Sequence, residues 1–174
     1  PHDRDGVPQS IRFWMEWAAN QEPSAAHSVG LIYGPSGCGK SSFVKAGFLP
    51  ALPKEFIPIY VEATRDETEI RLLKTLRKEF PGMSRQWSLP EMLEILREDN
   101  LKPTEKRILL FIDQFEQWLH TRTLFGGSQL AESLRQGDGN NIQAIIMVRD
   151  DLWMGVTRFL GWIDVQLVAG KNLY

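Results

Sequence analysis

Cysteine is nearly absent from this sequence, since Cys38 is the only one among 174 residues. A single cysteine excludes an internal disulfide and any zinc site built from several cysteines. It also fits a reducing cytoplasm, where we expect the protein to reside. The formal net charge is only -2. No strong field of one sign therefore indicates binding to nucleic acid or to an acidic membrane.

Long apolar runs and a recognisable targeting segment are missing too. No apolar run approaches the ~20 residues that a membrane-spanning helix requires. Residues 1–5 contain neither an initiator Met nor a basic stretch followed by an apolar one, so they do not form a signal peptide. The histidines His2, His27 and His120 lack the spacing of metal ligands. Because the chain starts without Met and stops abruptly at Tyr174, we expect a fragment of a longer multidomain protein.

What the sequence does contain is an alternation of short apolar runs and segments of helical periodicity. This alternation is typical of a parallel sheet covered by helices. Five strands are predicted, at 29–33, 57–61, 108–112, 142–148 and 164–168. The run at 108–112 is entirely apolar, which favours a central position in the sheet. The predicted fold class is α/β, a three-layer sandwich around a parallel five-stranded sheet.

Amphipathic helices are predicted between these strands. They cover residues 8–20, 40–48, 67–80, 88–100, 115–120, 128–136 and 150–160. The inward faces are predicted to carry Ile11, Trp14, Met15 and Ala18 in the first helix and Ile70, Leu73, Leu76 and Phe80 in the third. Pro50 is expected to end the second helix. Ser88 and Glu91 have the spacing of a capping box at the start of the fourth.

The strongest motif is a glycine-rich loop between the first strand and the second helix. It reads Gly34-Pro35-Ser36-Gly37-Cys38-Gly39-Lys40-Ser41 and matches, at every fixed position, the phosphate-binding pattern of Gly, four residues and Gly-Lys-Ser/Thr. Glycines let successive backbone N–H groups turn towards phosphate oxygens. We expect Lys40 to reach the β- and γ-phosphates of ATP or a related nucleotide, and the Ser41 hydroxyl to bind Mg²⁺. The alternative is a glycine turn that binds nothing.

An acidic residue at the end of the third strand is the second element. Asp113 follows the apolar run 108–112 and resembles a Walker B aspartate, which holds Mg²⁺ through water. Many ATPases with a phosphate-binding loop place a catalytic Glu directly after this Asp, but here that position is Gln114. Glu116 is therefore the candidate that orients the attacking water. The alternative is a Glu on the solvent face of a helix.

Arg149 ends the fourth predicted strand and is the third element. The carboxyl ends of parallel strands border the crevice in which such sheets bind ligands. An Arg there could contact the γ-phosphate and report its hydrolysis. The alternative is an ion pair with Asp150 or Asp151. Two other residues, Trp14 and Trp17, could flank an adenine base, although a Trp on an amphipathic helix is more often part of the core.

With these motifs, the sequence resembles the novel STAND NTPase family. These proteins are signal-transduction ATPases with numerous domains, found mostly in bacteria. The resemblance extends from about Asp3 to Lys171 and rests on the segments 31–42, 61–64 (Val-Glu-Ala-Thr), 113–118 (Asp-Gln-Phe-Glu-Gln-Trp) and 148–151 (Val-Arg-Asp-Asp). The loop alone is shared by many unrelated enzymes, whereas the last two segments are more discriminating.

The resemblance implies a P-loop NTPase core of the ASCE type, with strand order 5-1-4-3-2. It assigns nucleotide binding to Gly34, Pro35, Ser36, Gly37, Cys38, Gly39, Lys40, Ser41 and Ser42, with Ser41 and Asp113 at the metal. It further implies Asp113 and Glu116 as the acidic pair, Arg149 as a sensor, and catalysis by these three with Lys40. Residues 28–174 would form this core, and residues 1–27 a helical segment leading into the nucleotide site.

Family members act as switches, which ADP holds closed and ATP opens, often as oligomers. Their other domains, such as kinase, caspase-like or WD-repeat modules, are the implied partners. Adenine is the implied base, and the sequence has no guanine-reading Asn-Lys-x-Asp segment. The helical and winged-helix segments that usually follow the sheet are not in this sequence, which implies weak nucleotide binding and slow hydrolysis.

Three functions stay open at this point. The first is a slow, Mg²⁺-dependent ATPase switch module. The second is a small-molecule kinase, because the loop also resembles that of guanylate kinases, although only Arg122 and Arg135 lie in the stretch where an Arg-rich lid is expected. The third is a nucleotide-dependent interaction domain without hydrolysis, which is consistent with Gln114 in place of the usual Glu.

Overall fold

A computed structural model describes residues 8–20, 28–121 and 126–174. The strands are β1 (Val29–Gly34), β2 (Phe56–Glu62), β3 (Arg107–Asp113) and β4 (Ile142–Arg149). The α-helices are α1 (Gln9–Ala19), α2 (Lys40–Ser42), α3 (Leu49–Ala51), α4 (Thr68–Glu79), α5 (Leu89–Arg97), α6 (Glu116–Leu119), α7 (Gln129–Leu134) and α8 (Trp153–Trp162). A π-helix, Phe43–Phe48, joins α2 to α3, and a 3₁₀-helix, Asp150–Leu152, precedes α8.

Of the predicted N-terminal segment, residues 1–27, the structure describes only residues 8–20, which contain α1. His2 and His27, as well as Arg122 in the predicted lid, lie outside the described residues. In the ranges 8–20, 28–121 and 126–174, no helix combines the length and the apolar character needed to cross a membrane.

The strands form a parallel sheet in the order β1-β4-β3-β2. Every residue of β3 is buried, which confirms the central position predicted from its apolar run. The first four predicted strands are confirmed to within one residue at each end. Because all strands run in the same direction, the residues that end β1, β3 and β4 meet at one edge of the sheet.

The prediction of a fifth strand at 164–168 is wrong. Asp164 has a left-handed backbone conformation (φ 60°) directly after α8. The Val165 N–H donates a hydrogen bond of 2.9 Å to the Leu160 carbonyl. Asp164 and Val165 therefore belong to the turn that ends α8. The apolar residues alone had suggested an extended segment at this point.

The outer edge of β1 is covered by the last residues of the chain instead. The Leu31 N–H donates to the Asn172 carbonyl at 2.8 Å, and the Tyr174 N–H donates to the Leu31 carbonyl at 3.1 Å. Leu31 and Leu173 form an isolated parallel bridge. This pairing provides hydrogen-bond partners for backbone groups at the outer edge of β1. The segment that provides them is too short to form a strand.

Helices cover both faces of the sheet, which gives the fold three layers. On one face, α1 and the helical segment from Lys40 to Ala51 pack against alternate strand residues. On the other face lie α4, α5, α7 and α8. Successive strand residues point to opposite faces, so Phe111 packs under the first helical layer and Ile112 under the second.

The helical segment after the glycine-rich loop does not end before Pro50, as predicted. It continues through α3 to Ala51. The Leu49 N–H donates to the Val44 carbonyl, five residues back, within the π-helix. A proline in a regular α-helix would clash with the carbonyl four residues before it. The wider π-turn relieves that clash, because it displaces this carbonyl from the proline ring.

Two helices bury most of the side chains predicted to face inward, and each differs from the prediction at one position. In α4 the buried side chains include Leu72, whereas Ile70 is 65% exposed. In α1 it is Trp17, rather than Met15, that is buried. Both helices carry more apolar residues than one face can hold, so contact with the sheet decides which of them are covered.

The capping box predicted at the start of α5 is confirmed. The Ser88 hydroxyl accepts a hydrogen bond from the Glu91 N–H, and the Glu91 carboxylate accepts one of 2.7 Å from the Ser88 N–H. These two bonds satisfy N–H groups that have no acceptor inside the helix. The bond from the Ser88 N–H, and then one that the Ser88 hydroxyl donates to the same carboxylate, hold the pKa of the Glu91 carboxyl below its usual value.

Gly30 makes the packing of α1 on the sheet possible, and its replacement should be costly. A Cβ at Gly30 would lie 2.4 Å from Cζ3 of Trp14, a side chain that is fully buried. We expect Gly30→Ala to lower the free energy of unfolding by about 1–3 kcal/mol, because the rigid indole has no space to move. Chemical denaturation measures this change.

Gly161→Ala is the matched control for this prediction. Gly161 lies in α8, and a Cβ there would meet nothing within 4 Å. The added methyl group should leave stability unchanged or raise it by up to about 1 kcal/mol. Equal effects of the two substitutions would contradict the close packing of Trp14 on β1.

Candidate functional site

The glycine-rich loop connects the end of β1 to the start of α2, as the sequence predicts. Gly37 and Gly39 have φ angles of 75° and 91°, a left-handed region that side chains rarely adopt. These two residues turn the loop so that it encircles a small volume in front of the helix. The first turn of α2 directs N–H groups without intrahelical acceptors towards the same volume.

Lys40 lies across the mouth of this loop. Its Nζ donates hydrogen bonds to the carbonyls of Gly34 at 2.8 Å and Pro35 at 2.9 Å. It also lies 3.7 Å from Cys38 Sγ. The ammonium group is therefore held at the loop by neutral acceptors, which an anion could replace with a stronger, charge-assisted bond.

Asp113 is buried, with an exposed fraction of only 2%, at the carboxyl end of β3. Its Oδ1 accepts a hydrogen bond of 2.8 Å from the Gln114 N–H. Its Oδ2 accepts one of 2.5 Å from the Ser41 hydroxyl and another from the Tyr60 hydroxyl. The predicted pair of metal ligands, Ser41 and Asp113, is thus in direct contact although the two residues are far apart in sequence.

The donor atoms of this pair suit Mg²⁺. A serine hydroxyl and a carboxylate are hard oxygen ligands, and Mg²⁺ is usually held by one or two such groups together with water and substrate phosphates. Among residues 8–20, 28–121 and 126–174, no cluster of three or more His, Cys, Asp or Glu side chains could hold a metal without such help. With one hydroxyl and one carboxylate as ligands, the Ser41–Asp113 pair fits an Mg²⁺ ion that is also bound by water and by a phosphate.

Gln114 has a left-handed backbone conformation, with φ 53°. The chain leaves β3 at this point: the Asp113 carbonyl accepts a hydrogen bond of 2.7 Å from Ala63, and the Phe115 N–H donates one of 3.0 Å to the Met147 carbonyl. A non-glycine residue with this φ is uncommon and costs free energy. The turn brings Asp113 and the start of α6 to the same side of the loop.

Glu116 is the first residue of α6 and is buried, with 7% of its surface exposed. The alternative of a solvent-facing helix residue is therefore wrong. Its Oε2 is buried and has no hydrogen-bond partner among residues 8–20, 28–121 and 126–174. A buried carboxylate oxygen without a partner is costly unless water or a ligand satisfies it.

The position of α6 is fixed by its aromatic residues. The rings of Phe115 and Trp118 stack at 5.2 Å with an angle of 15° between them. Nε1 of Trp118 donates a hydrogen bond of 3.0 Å to Oε1 of Glu69 in α4. Because both rings are fully buried, Glu116 projects into the cleft from a rigid support.

Arg149 ends β4 directly beside Gly34, its partner in the register of β1 and β4. Its guanidinium donates two hydrogen bonds to the Asp151 carboxylate, at 2.5 Å from Nη2 and 3.1 Å from Nε. These bonds, and then the negative charge of Asp151, raise the pKa of Arg149. The ion pair with Asp151 is therefore present, and the same side chain also borders the cleft beside the loop.

A single cleft of about 510 Å³ joins most of the predicted site residues. It is lined by Ser36, Gly37, Gly39, Lys40, Ser41, Ser42, Asp113, Gln114, Glu116, Gln117 and Arg149. Gly34, Pro35 and Cys38, which were also predicted, do not line it; the carbonyls of the first two hold Lys40. Tyr60 and Gln117 were not predicted from the sequence. The proximity of Tyr60 to Asp113 follows from the pairing of β2 with β3.

A second cleft of about 340 Å³ lies on the other side of the loop. It is lined by Ser10, Ile32, Tyr33, Cys38, Gly39, Lys40, Phe43 and Tyr174. Trp14 and Trp17 are not among these residues, and both are buried in the core between α1 and the sheet. The proposal that these two residues flank a base is therefore wrong.

Comparison with known proteins identifies a matching family model and a solved structure of similar fold. A family model described as Novel STAND NTPase 1 matches residues 17–165. A sequence search of curated proteins found no match. Among solved structures, the chain is similar to the Walker-type ATPase PABY2304 of Pyrococcus abyssi, with 19% identity and a TM-score of 0.60. The match covers 99% of this chain and 55% of that one, so the chain has the fold of about half of that ATPase.

Proposed function

The chain belongs to the novel STAND NTPase 1 family, and we propose that it is the ATP-binding, slowly hydrolysing switch module of a signal-transduction protein. The family match confirms the resemblance found in the sequence. The observation that carries the proposal is the cleft in which Lys40, the Ser41–Asp113 pair, Glu116 and Arg149 face one another. Charges of both signs around a phosphate-sized loop are what triphosphate binding and hydrolysis require.

The phosphates are proposed to lie inside the loop from Gly34 to Ser42. Lys40 would exchange the carbonyls of Gly34 and Pro35 for the β- and γ-phosphates, because a charged acceptor binds its ammonium more strongly. Ser41 and Asp113 would hold Mg²⁺, whose charge neutralises the phosphate oxygens during transfer. The buried and unpartnered Oε2 of Glu116 is then a natural acceptor for the attacking water.

We propose that Arg149 senses the γ-phosphate, which it reaches by leaving Asp151. If so, Arg149→Ala should weaken ATP binding by roughly 3–10-fold and leave ADP binding unchanged. The loss is moderate because the arginine must first give up its pair with Asp151. Isothermal titration calorimetry with both nucleotides measures the difference.

The control for this prediction is Arg158→Ala, which removes an exposed arginine from α8. It should change neither affinity. If Arg149→Ala weakens ATP and ADP binding equally, Arg149 does not sense the γ-phosphate. If it weakens neither, Arg149 serves only as the partner of Asp151.

The ASCE-type strand order and the bounds of the NTPase core are part of the same proposal. β4 lies between β1 and β3, as it does in ASCE-type cores. Residues 172–174 pair with the free edge of β1, where the fifth strand of the order 5-1-4-3-2 would lie. We therefore assign residues 28–174 to the NTPase core and residues 1–27 to the segment leading into it. Other domains of the parent protein are its proposed partners.

The first experiment is a calorimetric titration of the protein with ATP and with GTP in the presence of Mg²⁺, followed by an assay of phosphate release. ATP binding with slow phosphate release supports the switch module. Binding without release favours the nucleotide-dependent interaction domain. Incubation with nucleoside monophosphates tests the kinase alternative, which predicts transfer of the γ-phosphate to one of them.

A further inference from the structure

Tyr60 contacts the proposed metal site from a strand that carries no other site residue. In the register of β2 and β3, Tyr60 lies opposite Phe111. Asp113, two residues beyond Phe111, points to the same face because side chains alternate along a strand. The Tyr60 hydroxyl therefore reaches Oδ2 of Asp113 and donates a hydrogen bond to it.

The ring of Tyr60 contacts two neighbouring side chains. It stacks against Phe111, with the ring centres 6.4 Å apart and an angle of 27° between the planes. Nζ of Lys45 lies 4.7 Å from the centre of the Tyr60 ring. Lys45 is itself anchored by an ion pair of 2.9 Å with Glu62, two residues after Tyr60. These two contacts restrict the orientation of the ring and so of its hydroxyl.

The Asp113 carboxylate is thus oriented by three donors. The Gln114 N–H binds Oδ1, and the hydroxyls of Ser41 and Tyr60 both bind Oδ2. Ser41 lies in α2 and Gln114 directly follows β3, whereas Tyr60 lies within β2, the strand that pairs with β3. Tyr60 is therefore the donor that orients the Asp113 carboxylate from the neighbouring strand of the sheet.

We propose that Tyr60 is a positioning residue that holds the Asp113 carboxylate in the orientation that binds Mg²⁺ together with ATP. The inference rests on the proposed nucleotide-binding function and adds to it a residue outside the family's sequence motifs. Hydrogen-bond partners of metal-binding side chains orient them, and their loss typically lowers metal affinity about 10–100-fold.

The test is the ATP affinity of Tyr60→Phe, measured by calorimetry with excess Mg²⁺ and again with EDTA. The ratio of the two affinities gives the contribution of the metal. In Tyr60→Phe this ratio should fall about tenfold, because Asp113 loses one of its orienting donors. The affinity in EDTA should stay at the wild-type value, since phenylalanine keeps the ring and its contacts.

Two further variants serve as the positive and the negative control. Asp113→Asn removes the carboxylate charge and should give the largest fall in the ratio. Tyr33→Phe removes the same hydroxyl from an exposed tyrosine on β1 and should leave the ratio unchanged. An unchanged or increased ratio in Tyr60→Phe overturns the inference. A loss of affinity in EDTA also overturns it, because Tyr60 would then support the fold rather than the metal.

These outcomes separate the inference from the function on which it rests. If Mg-ATP binds equally well to the wild type and to Lys40→Ala, the proposed function fails. If the wild type shows Lys40-dependent binding and a Mg²⁺ contribution that Tyr60→Phe retains, only the role of Tyr60 fails.

Discussion

Replacement of Lys40 by alanine is expected to abolish measurable ATP binding, with a loss of affinity of about 100-fold or more. A hydrogen bond to a charged group contributes roughly 1.5–3 kcal/mol, and Lys40 is proposed to bind two phosphates. Its present acceptors are the neutral carbonyls of Gly34 and Pro35, at 2.8 and 2.9 Å. Loss of these weaker bonds when ATP binds offsets only part of the affinity that Lys40 gains from the phosphates. Isothermal titration calorimetry with Mg-ATP measures the loss.

The control for this result is Lys54→Ala. Lys54 is exposed and lies before β2, at the end of the sheet opposite to the cleft. This substitution removes the same charge and should leave ATP affinity unchanged. Equal affinity in Lys40→Ala and the wild type would show that the glycine-rich loop is a turn without a ligand, the alternative that the sequence alone leaves open.

Replacement of Glu116 by glutamine is expected to stop hydrolysis while ATP binding persists. A side chain that accepts a proton during reaction typically contributes about 100-fold or more to the rate. Glutamine has nearly the same shape but cannot take a proton from water. Glu116 is buried, and in the part of the chain that the structure describes its Oε2 has no hydrogen-bond partner, so the substitution breaks no described hydrogen bond of that oxygen. A phosphate-release assay should show the lower rate, with ATP affinity within about threefold of the wild type.

The control for Glu116 is Glu132→Gln, which changes an exposed glutamate on α7. It should hydrolyse ATP at the wild-type rate. Equal phosphate release by Glu116→Gln and a hydrolysing wild type would remove Glu116 from the mechanism. If the wild type itself releases no phosphate, the chain is the non-hydrolysing nucleotide-dependent domain.

The features that local sequence controls were predicted well. The glycine-rich loop depends on two positions with positive φ, and the sequence supplies glycine at both. The capping box of α5 needs only Ser88 and Glu91 at the correct spacing. The four strands are marked by apolar runs between polar turns, which identify strand position to within one residue.

The features that depend on competition between segments were predicted less well. The apolar residues of 164–168 suit a strand, but α8 needs a C-terminal turn and takes Asp164 and Val165 for it. Ile70 and Leu72 are both apolar, and only the packing of α4 on the sheet decides that Ile70 stays exposed. Local patterns do not contain this information, because it depends on residues distant in sequence.

The sequence by itself determined that a glycine-rich loop with the pattern of a phosphate-binding loop follows a buried strand, since its glycines, Lys40 and Ser41 lie within one short segment. The tertiary structure decided which side chains meet at that loop. In the described part of the chain it brings the hydroxyls of Ser41 and Tyr60 to the Asp113 carboxylate and pairs Arg149 with Asp151. It also buries Glu116, whose Oε2 has no hydrogen-bond partner among the described residues. The physical reason is the parallel sheet, which aligns the carboxyl ends of strands distant in sequence at one edge.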